Sequence, residues 1–185
     1  MAEPAGGEMT RRILQIAMLA ASVTFAPTYI VGAHAADNAG APRVTITNSK
    51  QLRVPLPFPY NGRANAAQDV DAAFARARAS GKRVVIDFGR NWCPDCRILA
   101  GVLERPEVEP FVEEHFELVT VDVARFDKNM DIPARYGAKV TGVPWLIIAE
   151  PDGTVVHSSY EITDNGFASK PQAMVDWLAK WAKSK

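Results

Sequence analysis

The spacing of hydrophobic positions changes period along the chain, and each change marks an element. In NAAQDVDAAFARARASG, Val70 and Phe74, with Ala67 and Ala77, fall on one side of a 3.6-residue repeat and predict an amphipathic helix. Asn65 and Gln68 stand in a capping-box relation at its start, and Gly81 supplies its stop. KRVVIDFG then runs apolar without alternation and is rich in β-branched residues, as expected of a strand covered on both faces. A second helix is predicted from about Cys93 to Glu104, with Ile98, Leu99, Val102 and Leu103 on its apolar side and Pro106 just past its end. PEVEPFVEEH reads as a short helix or a kinked continuation, FELVTVDV as a strand, and DIPARYG as a short helix closed by Gly137. VPWLIIAE and TVVHSSY flank the turn PDG and predict a β-hairpin. The last helix lies in SKPQAMVDWLAKWAKSK, with Ser169 as cap, Pro171 in the first turn, and Met174, Leu178 and Trp181 facing inward.

This order supplies a βαβ unit followed by an antiparallel hairpin and a covering helix. The expected class is α/β: a central mixed β-sheet flanked by helices on both faces. Ahead of it, residues 36–62 read as an irregular leader. VPLPFPYNG puts Pro55, Pro57 and Pro59 at alternate positions, which forbids a regular helix. RVTITNS is expected to form one short edge strand.

The extreme N-terminus differs in kind. From Ile13 to Val31 there is no charged residue, and the run follows Arg11–Arg12 and ends at Ala33-His34-Ala35. This is the pattern of an export signal cut after Ala35, and Met9 would give it a cleaner basic start. An uncleaved membrane anchor is the competing reading; Pro27, the hydroxyl residues and the small-x-small site favour cleavage. The expected division is 1–35 signal, 36–62 leader and 63–185 domain, with a periplasmic or otherwise exported location.

Composition narrows the functional classes. Hydrophobic residues are 48% of the 185 and charged residues 23%, so a packed core is expected. Lys+Arg and Asp+Glu are both 21, and this balance offers no footprint for nucleic acid. The chain has no GxxxxGK[ST], GxGxxG or GxSxG, and no cofactor is expected.

The chemistry concentrates in FGRNWCPDCRIL, which holds the only two cysteines, Cys93 and Cys96. They could be a redox pair, half of a metal site or a staple. A staple across so short a loop constrains little of the unfolded chain. A metal chaperone needs further ligands, and His34, His115 and His157 have no second ligand spaced nearby, so no metal residue is assigned. At a strand–helix junction the first sulfur meets free N–H groups and the positive end of the helix dipole, and the second lies one turn deeper. That arrangement suits thiol–disulfide exchange. A binding module without turnover remains an alternative.

VVIDFGRNWCPDC resembles the strand–Trp–Cys-x-x-Cys–helix segment of the thioredoxin superfamily, and TGVPW resembles its cis-proline loop. The resemblance spans roughly residues 64–184 and is greatest to exported bacterial thioredoxin-like proteins, including the reducing domain of the membrane thiol–disulfide transporter. It implies a thioredoxin-like fold, a nucleophile at Cys93, a resolving thiol at Cys96 and a redox disulfide Cys93–Cys96. It further implies a buried proton relay at Asp87 and a cis peptide before Pro144. Trp92, Val143 and Trp145 would lie on the substrate side, with the Val143 backbone pairing with the bound chain. Where many thioredoxins place a lysine near the buried acid, this sequence has Leu118. Asp95 opposes a nearby thiolate, which predicts a reducing or intermediate pair. The segment between Cys96 and Pro144 has no room for the inserted helical domain of the oxidase branch. The implied activity is an exported thiol–disulfide oxidoreductase that reduces disulfides in protein substrates. It would act as a monomer, re-reduced by a membrane thiol–disulfide electron donor.

Overall fold

The computed structural model describes residues 40–183; the expected signal segment 1–35 lies outside the described residues. A four-stranded sheet of order β2-β1-β3-β4 organises them. The strands are β1 (Arg83–Gly89), β2 (Phe116–Asp122), β3 (Trp145–Ala149) and β4 (Val155–Ser159). β1 runs parallel to β2 and antiparallel to β3, and β3–β4 is the predicted hairpin, with a register shift at Ile148/Ala149. The sheet is mixed, as the sequence implies.

β1 is central because it can be covered on both sides. Val84, Ile86 and Phe88 pack on one face with Ile147 and Ala149, and Val85 joins Leu146 and Ile148 on the other. Removing each Val or Ile side chain from water contributes about 1.5–3 kcal/mol.

The first face is closed by α1 (Ala66–Ser80) through Ala66, Val70, Ala73, Phe74 and Ala77, and Ile132 of a short later helix joins it there. In sequence order α2 (Pro94–Leu103), α3 (Glu109–His115), α4 (Asp131–Arg135) and α5 (Pro171–Ala179) follow α1. α1 starts where Asn65 Oδ1 accepts from the Gln68 N–H at 3.3 Å. It stops at Gly81, whose φ of 76° is open to glycine at no steric cost. The second face is closed by α2, α3 and α5, through Leu99, Val102, Phe111, Met174 and Leu178.

Two local expectations are corrected. RVTITNS forms no strand, because side chains take the donors a ladder would have used. The Val44 N–H goes to Gln172 Oε1 at 2.8 Å, the Thr45 N–H to Glu107 Oε1 at 3.0 Å and the Thr47 N–H to Gln51 Oε1 at 2.9 Å. The cap of α5 is Lys170 rather than Ser169. Pro171 disfavours helical backbone in the residue before it, and Ser169 Oγ instead donates to the Gly166 carbonyl at 2.7 Å.

The leader is irregular, as its prolines require, yet it is laid into the body of the domain. Arg97 of α2 donates through Nε to the Pro57 carbonyl at 2.9 Å and through a second guanidinium nitrogen to the Leu56 carbonyl at 2.6 Å. Thr120 of β2 donates to the Pro59 carbonyl at 2.9 Å. The segment therefore crosses the C-terminal end of β1, where the cysteines are.

Candidate active site

The turn after β1 sets the first sulfur. Cys93 is the N-cap of α2, with extended backbone, and Pro94 opens the helix in the position where its missing N–H costs nothing. The Cys93 Sγ accepts from the Cys96 N–H at 3.3 Å, so the sulfur takes the place of a capping oxygen. Cys96 follows within the first turn and is fully buried, whereas Cys93 keeps 7% exposure. The Cys93 sulfur presents only an edge, because Cys93, Cys96 and Tyr60 pack in one small cluster with Val143 against it.

The two thiols are driven apart in proton affinity. A hydrogen bond from the Cys96 thiol, with the Cys96 N–H, lowers Cys93 to about 7 against the opposing effect of its burial. Arg90 adds to the lowering, and Asp95 works against it, as its place in the first turn implies. Cys96 moves far upward, through its bond to Cys93, its burial and the nearby Asp87 charge. One sulfur is thus poised to be a thiolate near neutral pH and the other to keep its proton.

Asp87 is the sole buried charged residue among those described, at 2% exposure. Burial raises it to about 7, opposed by a hydrogen bond from Tyr60 and reinforced by the Cys93 charge. Its neighbour in the β2 register is Thr120, and Leu118 pairs instead with Val85 within the apolar core. The partner of the acid comes from the leader: the Tyr60 hydroxyl donates to Asp87 Oδ2 at 2.8 Å. Asp87 Oδ1 has no protein partner among the described residues.

Tyr60, like Arg90, is a site residue that the sequence did not point to. Its signal was indirect: Gly89 ends β1, and a Cβ there would lie 2.2 Å from the Tyr60 ring. A glycine at a strand end can mark such a close approach.

The remaining expected residues divide. The Val143–Pro144 peptide is cis, and the Val143 carbonyl faces Cys93 Sγ at 3.6 Å. Trp92 is 61% exposed on the rim, with the Arg90 guanidinium 3.3 Å from its ring centroid. The same guanidinium lies over Phe126 at 4.7 Å, so Arg90 is held between two aromatic faces. Trp145 belongs to the sheet instead of the sulfur cluster: its Nε1 donates to Ser158 Oγ at 2.9 Å and its ring packs on Tyr160. The two described histidines also serve packing, His115 against Phe111 and Phe116, and His157 against Trp177 and Trp181, while His34 lies outside the described residues.

Residues 65–151 match the family described as thioredoxin-like. A thioredoxin of Alicyclobacillus acidocaldarius is 36% identical over 78 residues, 42% of this chain and 68% of that protein. The chain belongs to the thioredoxin-like family. A Pseudomonas aeruginosa thioredoxin is 33% identical over 104 residues, covering 55% of this chain and 83% of its own length. Among solved structures, one titled a disulphide isomerase from Xylella fastidiosa is 31% identical, with a TM-score of 0.63 over 68% of this chain and 97% of that one. A thioredoxin-like fold with a CxxC at the tip of α2 is thus common ground between sequence and structure.

Proposed function

We propose that this thioredoxin-like protein is an exported thiol–disulfide oxidoreductase that works mainly as a reductase of protein disulfides. The observation that carries the reading is the division between the sulfurs: Cys93 caps α2 and is lowered to about 7, while Cys96 is fully buried and holds its proton. Cys93 as thiolate attacks a substrate disulfide, and the bond it breaks leaves one substrate sulfur reduced. Cys96 then attacks Cys93, releasing the second substrate sulfur and leaving Cys93 and Cys96 joined. Two electrons pass from the cysteine pair to the substrate.

The direction follows from how strongly the thiolate is stabilised. Strong oxidases hold the nucleophile near pKa ~3.5, reducing members near ~7, since a very stable thiolate favours the reduced enzyme. The value of about 7 at Cys93 supports a reducing role for this pair. The Val143 backbone, whose carbonyl lies 3.6 Å from Cys93 Sγ, is the docking edge for an extended substrate chain, and Trp92 with Arg90 forms a rim next to Cys93 in the chain. Export rests on the apolar run 13–31 and the Ala33-His34-Ala35 site. Outside the inner membrane NADPH is not at hand, so a membrane thiol–disulfide carrier is the proposed electron donor.

Turnover of insulin disulfides tests the reading. Wild type is expected to be active, Cys93→Ser inactive, and Cys96→Ser to accumulate mixed disulfides with substrate. A wild type inert toward peptide disulfides overturns it. An equilibrium with glutathione as oxidising as that of the strongest oxidases overturns the reductive direction, and efficient reshuffling of a scrambled multi-disulfide substrate would favour an isomerase role like that named for the Xylella protein.

A further inference from the structure

Beneath the sulfurs the leader delivers a phenol to a position where packing alone would need only a ring. Tyr60 is 2% exposed, and its backbone is clamped at both polar atoms by Asn91. Its N–H donates to Asn91 Oδ1 at 3.1 Å, and Asn91 Nδ2 donates to its carbonyl at 2.7 Å. Its ring occupies the space that Gly89 leaves open. Neighbouring leader residues are held by Arg97 and Thr120, and the Arg97 guanidinium also lies 4.0 Å over the Phe58 ring. Every restraint fixes where one hydroxyl points: at Asp87 Oδ2, 2.8 Å away, with the Cys96 thiol also acting on it.

We propose that Tyr60 is a positioning residue for the resolving step: by donating to Asp87 Oδ2 it favours the ionised carboxylate and leaves Oδ1 to receive the Cys96 proton. The consequence rests on the disulfide-exchange reading above. In that step the Cys96 thiol gives its proton to Asp87, and its sulfur forms a bond to Cys93. The bond between Cys93 and the substrate breaks, its electron pair leaving on the substrate sulfur. That sulfur then takes up a proton, and Asp87 returns to the carboxylate.

Tyr60 is suited to this because burial and the Asp87 charge push its own ionisation far above the ordinary phenol range, so it remains a donor at every working pH. Its bond opposes the rise that burial imposes on Asp87. The other groups facing the acid are Cys93 and Cys96 of α2, with Arg90 and Asp95 acting on Cys93. β2 and β3 bring Thr120 and Leu146 opposite it, neither of which titrates. A hydrogen bond to a charged group stabilises it enough to move its midpoint by about one pH unit, or tenfold in carboxylate population.

The test follows the Asp87 carboxyl carbon by NMR in the reduced protein, its signal identified by its loss in Asp87→Asn. Tyr60→Phe keeps the ring in its seat and is expected to raise the Asp87 midpoint by about one unit. 3-Fluorotyrosine at position 60, a stronger donor of nearly the same shape, is expected to lower it. An unchanged midpoint in both overturns the proposal. The release of substrate thiol from a Cys93 mixed disulfide should show its pH limb displaced in the same direction by Tyr60→Phe, with no further displacement in the Asp87→Asn background. A full effect in that background also overturns it. A wild type without disulfide reductase activity would remove the proposed function yet leave the NMR comparison intact, so the two failures are distinguishable.

Discussion

The two faces of β1 carry alternate residues of one strand to opposite ends. Toward α1, Val84, Ile86 and Phe88 enter an all-apolar core and are 0% exposed. Toward α2, the same strand offers Val85, then Asp87 and the bare Gly89, and there the burial serves a carboxylate and a tyrosine ring. The difference shows how a small sheet divides labour. One face supplies the free energy of folding, and the other spends part of it to hold an acid where its proton affinity is raised.

The comparison is broken most severely on the apolar side. Ile86→Ala is expected to destabilise the protein by about 2–5 kcal/mol in chemical denaturation while the Cys93 thiolate midpoint stays in place. A shift of that midpoint would mean that the faces are not separable.

Asp87→Asn tests the other face, and its effect depends on pH. The folded-state pKa is raised from 3.8 to about 7, so the contribution of Asp87 to stability is full below the unfolded value and is lost as pH rises through about 7. Wild type should lose stability relative to Asp87→Asn between about pH 4 and about pH 7, by on the order of a few kcal/mol, with no further loss above that. Parallel melting curves for both proteins across that range would contradict it.

Gly89→Ala forces a Cβ against the Tyr60 ring and is expected to cost about 1–3 kcal/mol and to slow the resolving step together. The smallest effects sharpen the contrast at the sulfur itself. Asp95→Asn should lower the midpoint of Cys93 alkylation by a fraction of a pH unit, and Arg90→Gln should raise it, because the two charges act on the thiolate with opposite sign. Movement in the same direction for both would sink this account.

Much of the fold was legible because its signals are local. Asn65 and Gly81 bound α1 as expected, the apolar run in KRVVIDFG is the central strand, and PDG closes the hairpin. Cys93 and Cys96 were legible for the same reason, as a sulfur pair at a strand–helix junction, whereas Asp87 came from the resemblance carried by VVIDFGRNWCPDC. RVTITNS misled because its alternation satisfies a strand, yet Gln172, Glu107 and Gln51 took its N–H groups. Arg90 escaped notice because its rings, Trp92 and Phe126, meet only after the chain has passed through α2, α3 and β2.

The amino-acid order by itself determined the four strands, the bounds of α1 and the placing of two thiols one helical turn apart, since these depend on residues within a few positions of each other. Only the tertiary structure decided which group would face the buried acid. A proline-rich segment has no period to declare a face, so its landing place is set by Asn91, Arg97, Thr120 and the gap at Gly89, all far along the chain. Tyr60 meets Asp87 because those distant groups close around the leader, and hydrogen bonds formed across such separations leave no mark in local sequence.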